Sequence, residues 1–84
     1  MADIKIGRIS HYYDKIGVAV LELTDSLSVG DKIKFARGGE DLFEQEVTSM
    51  QVEHEQVQEA KTGDAVGLKT DEEVKDGAEV YKVQ

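Results

Sequence analysis

Cysteine, proline, tryptophan and asparagine are all missing from this chain of 84 residues. Without cysteine there is no disulfide, no thiolate nucleophile and no Cys-ligated zinc. Without proline or asparagine, every sharp reversal rests on Gly or Asp. Aromatic residues make up only 6% of the sequence, and 10 Lys and Arg face 18 Asp and Glu. The resulting charge of −8 argues against a generic binder of phosphate backbones, whose affinity rests on counterions released by Lys and Arg. No apolar run approaches the roughly 20 residues that span a bilayer, and the opening Met1-Ala2-Asp3-Ile4-Lys5 does not read as a signal peptide. The expectation is a cytoplasmic protein without a membrane partner. Its length suits one small domain over residues 1–84, with no room for separate nucleotide and substrate domains.

The charge is unevenly spread. Residues 1–38 carry six Lys and Arg against five acids, a balance of +1, whereas residues 39–84 carry four against thirteen, a balance of −9. Such asymmetry bears on partner choice rather than on fold.

Short runs rich in Val and Ile recur between Gly and Asp-Gly punctuation, which is an all-β pattern. In the first run, Ile4–Tyr13, Ile6 and Ile9 have opposite parity, so a bulge or bend is expected near Gly7. The second, Ile16–Leu23, also changes parity, from Val18 and Val20 to Leu21 and Leu23. Either both of its faces are buried or it bends round a barrel corner. Ile33 and Phe35 alternate with Lys32 and Lys34 in the third, and Gly38-Gly39-Glu40-Asp41 reads as a hairpin loop. The fourth, Leu42–His54, is expected as a single strand, and Val57–Ala60 as one helical turn. Val66 and Leu68 mark the fifth strand, Asp76-Gly77 a turn, and Val80–Val83 the last strand. Six strands at this spacing predict a small, closed or nearly closed antiparallel-type barrel.

The residues carry little catalytic chemistry. A phosphate-cradling loop needs spaced glycines followed by Lys and Ser or Thr, whereas Gly38-Gly39 is followed by two acids. Ser10 and His11 are adjacent, but neighbours on a strand point to opposite faces. His11 and His54 lack the local spacing of a zinc site, and Asp71, Glu72, Glu73 and Asp76 lack the alternation of a calcium loop. No cofactor, metal or catalytic residue is expected. Tyr12 and Tyr13 beside Arg8 and His11 form the one suggestive surface, since aromatic and Arg side chains together stack bases or anchor a protein partner. One of two adjacent strand tyrosines should nevertheless point into the core. Phosphate contacts from Arg8, Lys32 and Lys34 would require the basic strands to share one face.

The run Ser49, Met50, His54, Val57, Ala60, Gly63, Asp64, Val66, Gly67, followed by Gly77, resembles the second domain of the translational GTPases, the group of elongation factor Tu, elongation factor 1A and the selenocysteine-specific factor. Gly7-Arg8-Ile9, Gly17–Val20 and Leu27–Asp31 fit that family's opening strands and turn, so the likeness covers residues 6–83. Thr62 stands where the family commonly has Pro, and the first hairpin differs. The resemblance implies a translation-factor-type barrel freed of its GTPase domain, with no GTP binding. It would be a non-enzymatic module contacting RNA, the ribosome or a translation factor. Arg8, His11, Tyr12, Tyr13, Lys34, Arg37 and His54 are the candidate partner-binding residues. Physics supports parts of the motif: Gly63 permits a tight turn, Asp64 can cap it, and Gly67 suggests close backbone approach at a barrel corner. The alternative is a protein–protein adaptor whose acidic half meets a basic partner. A further alternative is an accessory module of a separate enzyme, such as a collagenase-like peptidase or a split GTPase.

Overall fold

The computed structural model describes residues 3–53 and 55–83, and within them every regular element is a strand. The ten strands are β1 (Ile4–Tyr13), β2 (Val18–Leu23), β3 (Leu27–Ser28), β4 (Lys32–Arg37), β5 (Glu40–Glu46), β6 (Met50–Val52), β7 (Glu55–Val57), β8 (Glu59–Ala60), β9 (Ala65–Lys69) and β10 (Glu79–Lys82). Eight form one antiparallel sheet in the order β5-β4-β10-β1-β2-β9-β6-β7, and β3 pairs with β8. The expected helical turn at Val57–Ala60 is absent, because Val57 ends β7 and Ala60 lies in β8.

The all-β class holds, but the six-stranded closed barrel does not. Among the described residues no ladder joins the two edge strands, β5 and β7. The cause lies in the fourth apolar run, which was expected as one strand and instead breaks at residues 47–49. Val47 turns inward and exchanges backbone hydrogen bonds with the 30–31 turn: its N–H donates to Asp31 O (2.8 Å) and its carbonyl accepts from Gly30 N (2.8 Å). Those bonds spend the ladder groups of Val47 on a loop, and the parity changes only afterwards, between buried Val47 and buried Met50. The chain measures 31 × 27 × 20 Å, too deep for a flat sheet, so the sheet curls over its core without closing.

Two bulges in β1 resolve its conflicting parity. Its pairing with β10 shifts between Lys5 and Gly7, and its pairing with β2 shifts between Ile9 and His11. Each shift reverses the facing of later side chains, so Ile6 and Ile9 both reach the core, with Leu21, Ile33, Phe35 and Leu68. Gly7 is needed for space: a Cβ there would lie 2.3 Å from the Glu22 carbonyl oxygen and 2.8 Å from Leu21 Cδ1. Phe35 stacks on Phe43 with ring centroids 4.7 Å apart. Gln45 of β5, only 7% exposed, donates to Lys69 O (2.9 Å) and accepts from Asp71 N (2.8 Å). This side chain ties edge strand β5 to the connection after β9, where no ladder does so.

Candidate binding groove

The tail of β1 runs past its pairing with β10, still paired with β2, into a four-residue hairpin loop closed by a bond from Gly17 N to Tyr13 O (2.9 Å). Beside it lies the connection between β9 and β10. Thr70 N donates to Gly17 O (3.0 Å), Val74 is buried, and Gly77 N donates to Ile9 O (2.8 Å). Asp76 then grips β1 itself: its Oδ1 accepts from Tyr12 N at 3.0 Å, and its Oδ2 lies 3.9 Å from His11 Nδ1. Together these segments and the end of β4 enclose an open groove of about 530 Å³.

Four of the seven residues expected from sequence line this groove: His11, Tyr12, Tyr13 and Arg37. The adjacent tyrosines divide as strand geometry requires, Tyr12 packing against the core and Tyr13 standing 49% exposed. His11 meets the Tyr13 ring edge-on, with centroids 4.3 Å apart. Lys34 lies elsewhere, only 16% exposed, with its ammonium 2.6 Å from Asp3 and 3.5 Å from Asp41. The hydrogen bond to Asp3 outweighs desolvation and raises its pKa above the usual lysine value. Arg8 is exposed between Glu22 and Glu79 in the ladder, away from the groove lining. His54 lies outside the described residues.

The geometry also answers whether the basic strands share a free face. Lys5, Lys32 and Lys82 each pair with an acid, Glu79, Glu44 and Asp31 respectively, at 2.9–3.5 Å. The Glu79 carboxyl is held below its usual range, chiefly by the hydrogen bond from Lys5. This face is electrically balanced rather than basic. In the groove, Arg37 and Lys75 are offset by Asp14, Glu73 and Asp76.

This arrangement suits the binding of a mixed polar and aromatic surface. No Ser, Thr or Cys lines the groove, and the Ser10 hydroxyl is directed to Val20 O (3.4 Å). Among the described residues, no three His, Asp or Glu side chains group as metal ligands. No helix is long and apolar enough to cross a membrane, again among the described residues. Sequence reasoning missed Asp76, Lys75 and Gln45. Asp76-Gly77 was legible as a turn, but the bond from Asp76 to a strand 64 residues earlier was not.

Comparison with known proteins overturns one expectation. Over 78 residues, 93% of its length, the chain is 40% identical to an uncharacterized protease of Methanocaldococcus jannaschii. The matched chain spans only 19% of that relative. The fold matches two crystal structures of the C-terminal domain of a Geobacillus thermoleovorans protein assigned to the U32 peptidases. One gives a TM-score of 0.88 at 17% identity, covering 96% of this chain and 93% of that domain. The other, a selenomethionine variant, gives 0.86 at 18%, covering 93% and 98%. No protein-family model matches the chain. The resemblance to the second domain of the translational GTPases is therefore corrected: the sequence match is to part of a protease, and the fold is that of a peptidase's C-terminal domain. The segment behind that resemblance has a local explanation. Gly63 sits at φ +93°, and Asp64 Oδ2 accepts from Lys61 N at 3.1 Å, closing a tight turn of general use. Gly67 marks no barrel corner, since a Cβ there would meet Val18 Cγ1 at an ordinary 3.5 Å.

Proposed function

We propose that this chain is a single, non-catalytic accessory domain that works with a peptidase polypeptide. The observation that carries the reading is its 40% identity, over nearly all its length, to one fifth of a protease. The shared fold with a peptidase's C-terminal domain supports it. In this role the groove of His11, Tyr12, Tyr13 and Arg37 engages protein, because its mixed charges and exposed aromatic ring match a polypeptide better than a uniformly charged ligand. Arg8 and Lys34 contribute to the domain's surface rather than to the groove.

The test uses the Methanocaldococcus jannaschii protease in three forms: intact, with the matching residues deleted, and with this chain in their place. Cleavage of a denatured protein substrate is measured for each, and for this chain alone. The deletion should lower kcat/KM, the replacement should restore it, and the isolated chain should cleave nothing. A replacement no better than the deletion, or hydrolysis by the chain alone that disappears in His11→Ala, would overturn the reading. So would a titration in which tRNA at low salt perturbs the amides of Arg8 and Tyr12.

A further inference from the structure

β2 carries a second apolar set that the His11–Arg37 groove does not use. Ala19, Leu21 and Leu23 are buried, which places Val18, Val20 and Glu22 on the outer face. No register shift interrupts the pairing of β2 with β9, so the strand does not bend to bury its second apolar set. Val18 and Val20 instead line a second groove of about 380 Å³, with Tyr13 and Ile16 on one side and Ala65 and Gly67 on the other. Ile16 is 62% exposed and Tyr13 49%. Gly67 lies opposite Val20 in one ladder and opposite Gln51 in the next, so its missing side chain leaves a dent across the middle of the sheet. The fold does not require that dent, because a Cβ fits there at ordinary contact distance. Solvated antiparallel sheets present polar residues outward, and an apolar outward patch marks an interaction surface.

Charge indicates what fits. Glu22 stands opposite Ala65, and β6 runs antiparallel to β9, which brings Glu53 to the same end of the groove. Lys69, opposite Val18, marks the other end. Self-association would bring together two chains that each carry −8, which opposes a second copy as occupant. We propose that this groove is where the domain docks on its own peptidase polypeptide, through an aliphatic or aromatic side chain seated over Gly67 with a Lys or Arg beside it facing Glu22 and Glu53. The inference rests on the accessory-domain reading and names its contact surface. Because Tyr13 lines both grooves, docking here sets the His11–Arg37 groove at the margin of the joint, open to substrate.

The absence of cysteine makes the test direct, since Ile16→Cys introduces a thiol unique within this chain. Lys32→Cys, on the balanced face, serves as the control. Alkylation by N-ethylmaleimide is followed by peptide-resolved mass spectrometry in the isolated chain and in the full-length protease carrying it. Thiol reactivity follows access, so Ile16→Cys should react about tenfold more slowly in the fusion, with Lys32→Cys changed by less than about twofold. Equal reactivity of Ile16→Cys in the two settings overturns the docking surface. If that fusion still restores peptidase activity, the accessory reading survives; if it is as inactive as the deletion, that reading falls as well. Slowing of Ile16→Cys in the isolated chain as its own concentration rises would identify a second copy as occupant and also overturn the proposal.

Discussion

Along β4, β10 and the first half of β1, outward side chains satisfy one another, whereas across β2, β9 and β6 they leave apolar surface open. On the first face, four acids and three lysines form close pairs, and Lys34 also lies 5.4 Å from the centre of the Tyr81 ring. The second face centres on Val18, Val20 and Gly67. The first needs nothing from outside; the second is finished only when something covers it. Two glycines mark the contrast. Gly7 is demanded by the fold, because a carbonyl occupies the place of its Cβ, whereas Gly67 leaves space that the fold does not use.

This contrast can be broken first at the glycines. Gly7→Ala should destabilise by about 3 kcal/mol or more, because the clash is with backbone and only a shift of β2 relieves it. Urea denaturation of the variant measures it. Gln45→Leu should cost about 2–3 kcal/mol, since it leaves the Lys69 carbonyl and the Asp71 amide unsatisfied beside a half-built edge. Faster hydrogen exchange at the Asp71 amide would show that this connection loosens first. Gly67→Ala should run the other way, gaining about 0.5–1 kcal/mol from the reduced freedom of the unfolded chain and from better strand propensity. Equal losses in Gly7→Ala and Gly67→Ala would erase the distinction.

The smallest effects belong to the paired face and depend on pH. Glu79 has a folded pKa below its ordinary 4.5, so its stabilisation is present above that value and is lost as pH falls through the lower, folded one. Lys34 is raised above its ordinary 10.5, so its contribution is present below that value and is lost as pH rises through the higher, folded one. Lys5→Met should flatten the acid limb of a thermal-denaturation series, and added salt should flatten it in the native chain. An acid limb unchanged in Lys5→Met would show that the pair stores no stability.

Much of this fold was legible in the order of residues. β1 was bounded correctly, and the clash of parity between Ile6 and Ile9 required the bulge that appears there. The clustering of Tyr12, Tyr13 and His11 was also readable, since local sequence places them on one strand. Arg37 joined them only through pairing with β10, and Asp76 only through a contact across most of the chain. The break of the fourth run at Val47 was misread for a similar reason. Propensity favours extending that strand, but the bonds from Val47 to the Gly30–Asp31 turn prevail. The closed barrel failed with it. The double apolar set of β2 was read as a choice between burial of both faces and a bend round a barrel corner, and neither occurs within this chain: the ladder to β9 is unbent and Val18 and Val20 stay half-exposed.

One measurement sets the two faces against each other directly. Val20→Glu and Lys32→Glu each place a carboxylate on an outward position, one in the apolar groove and one on the balanced face. Each variant is built into the Methanocaldococcus jannaschii protease in place of its matching residues, and the radius of gyration is read by solution scattering. Val20→Glu is expected to swing the domain away and enlarge the particle, while Lys32→Glu leaves its dimensions unchanged. Enlargement by Lys32→Glu alone, or by neither variant, would contradict the docking surface.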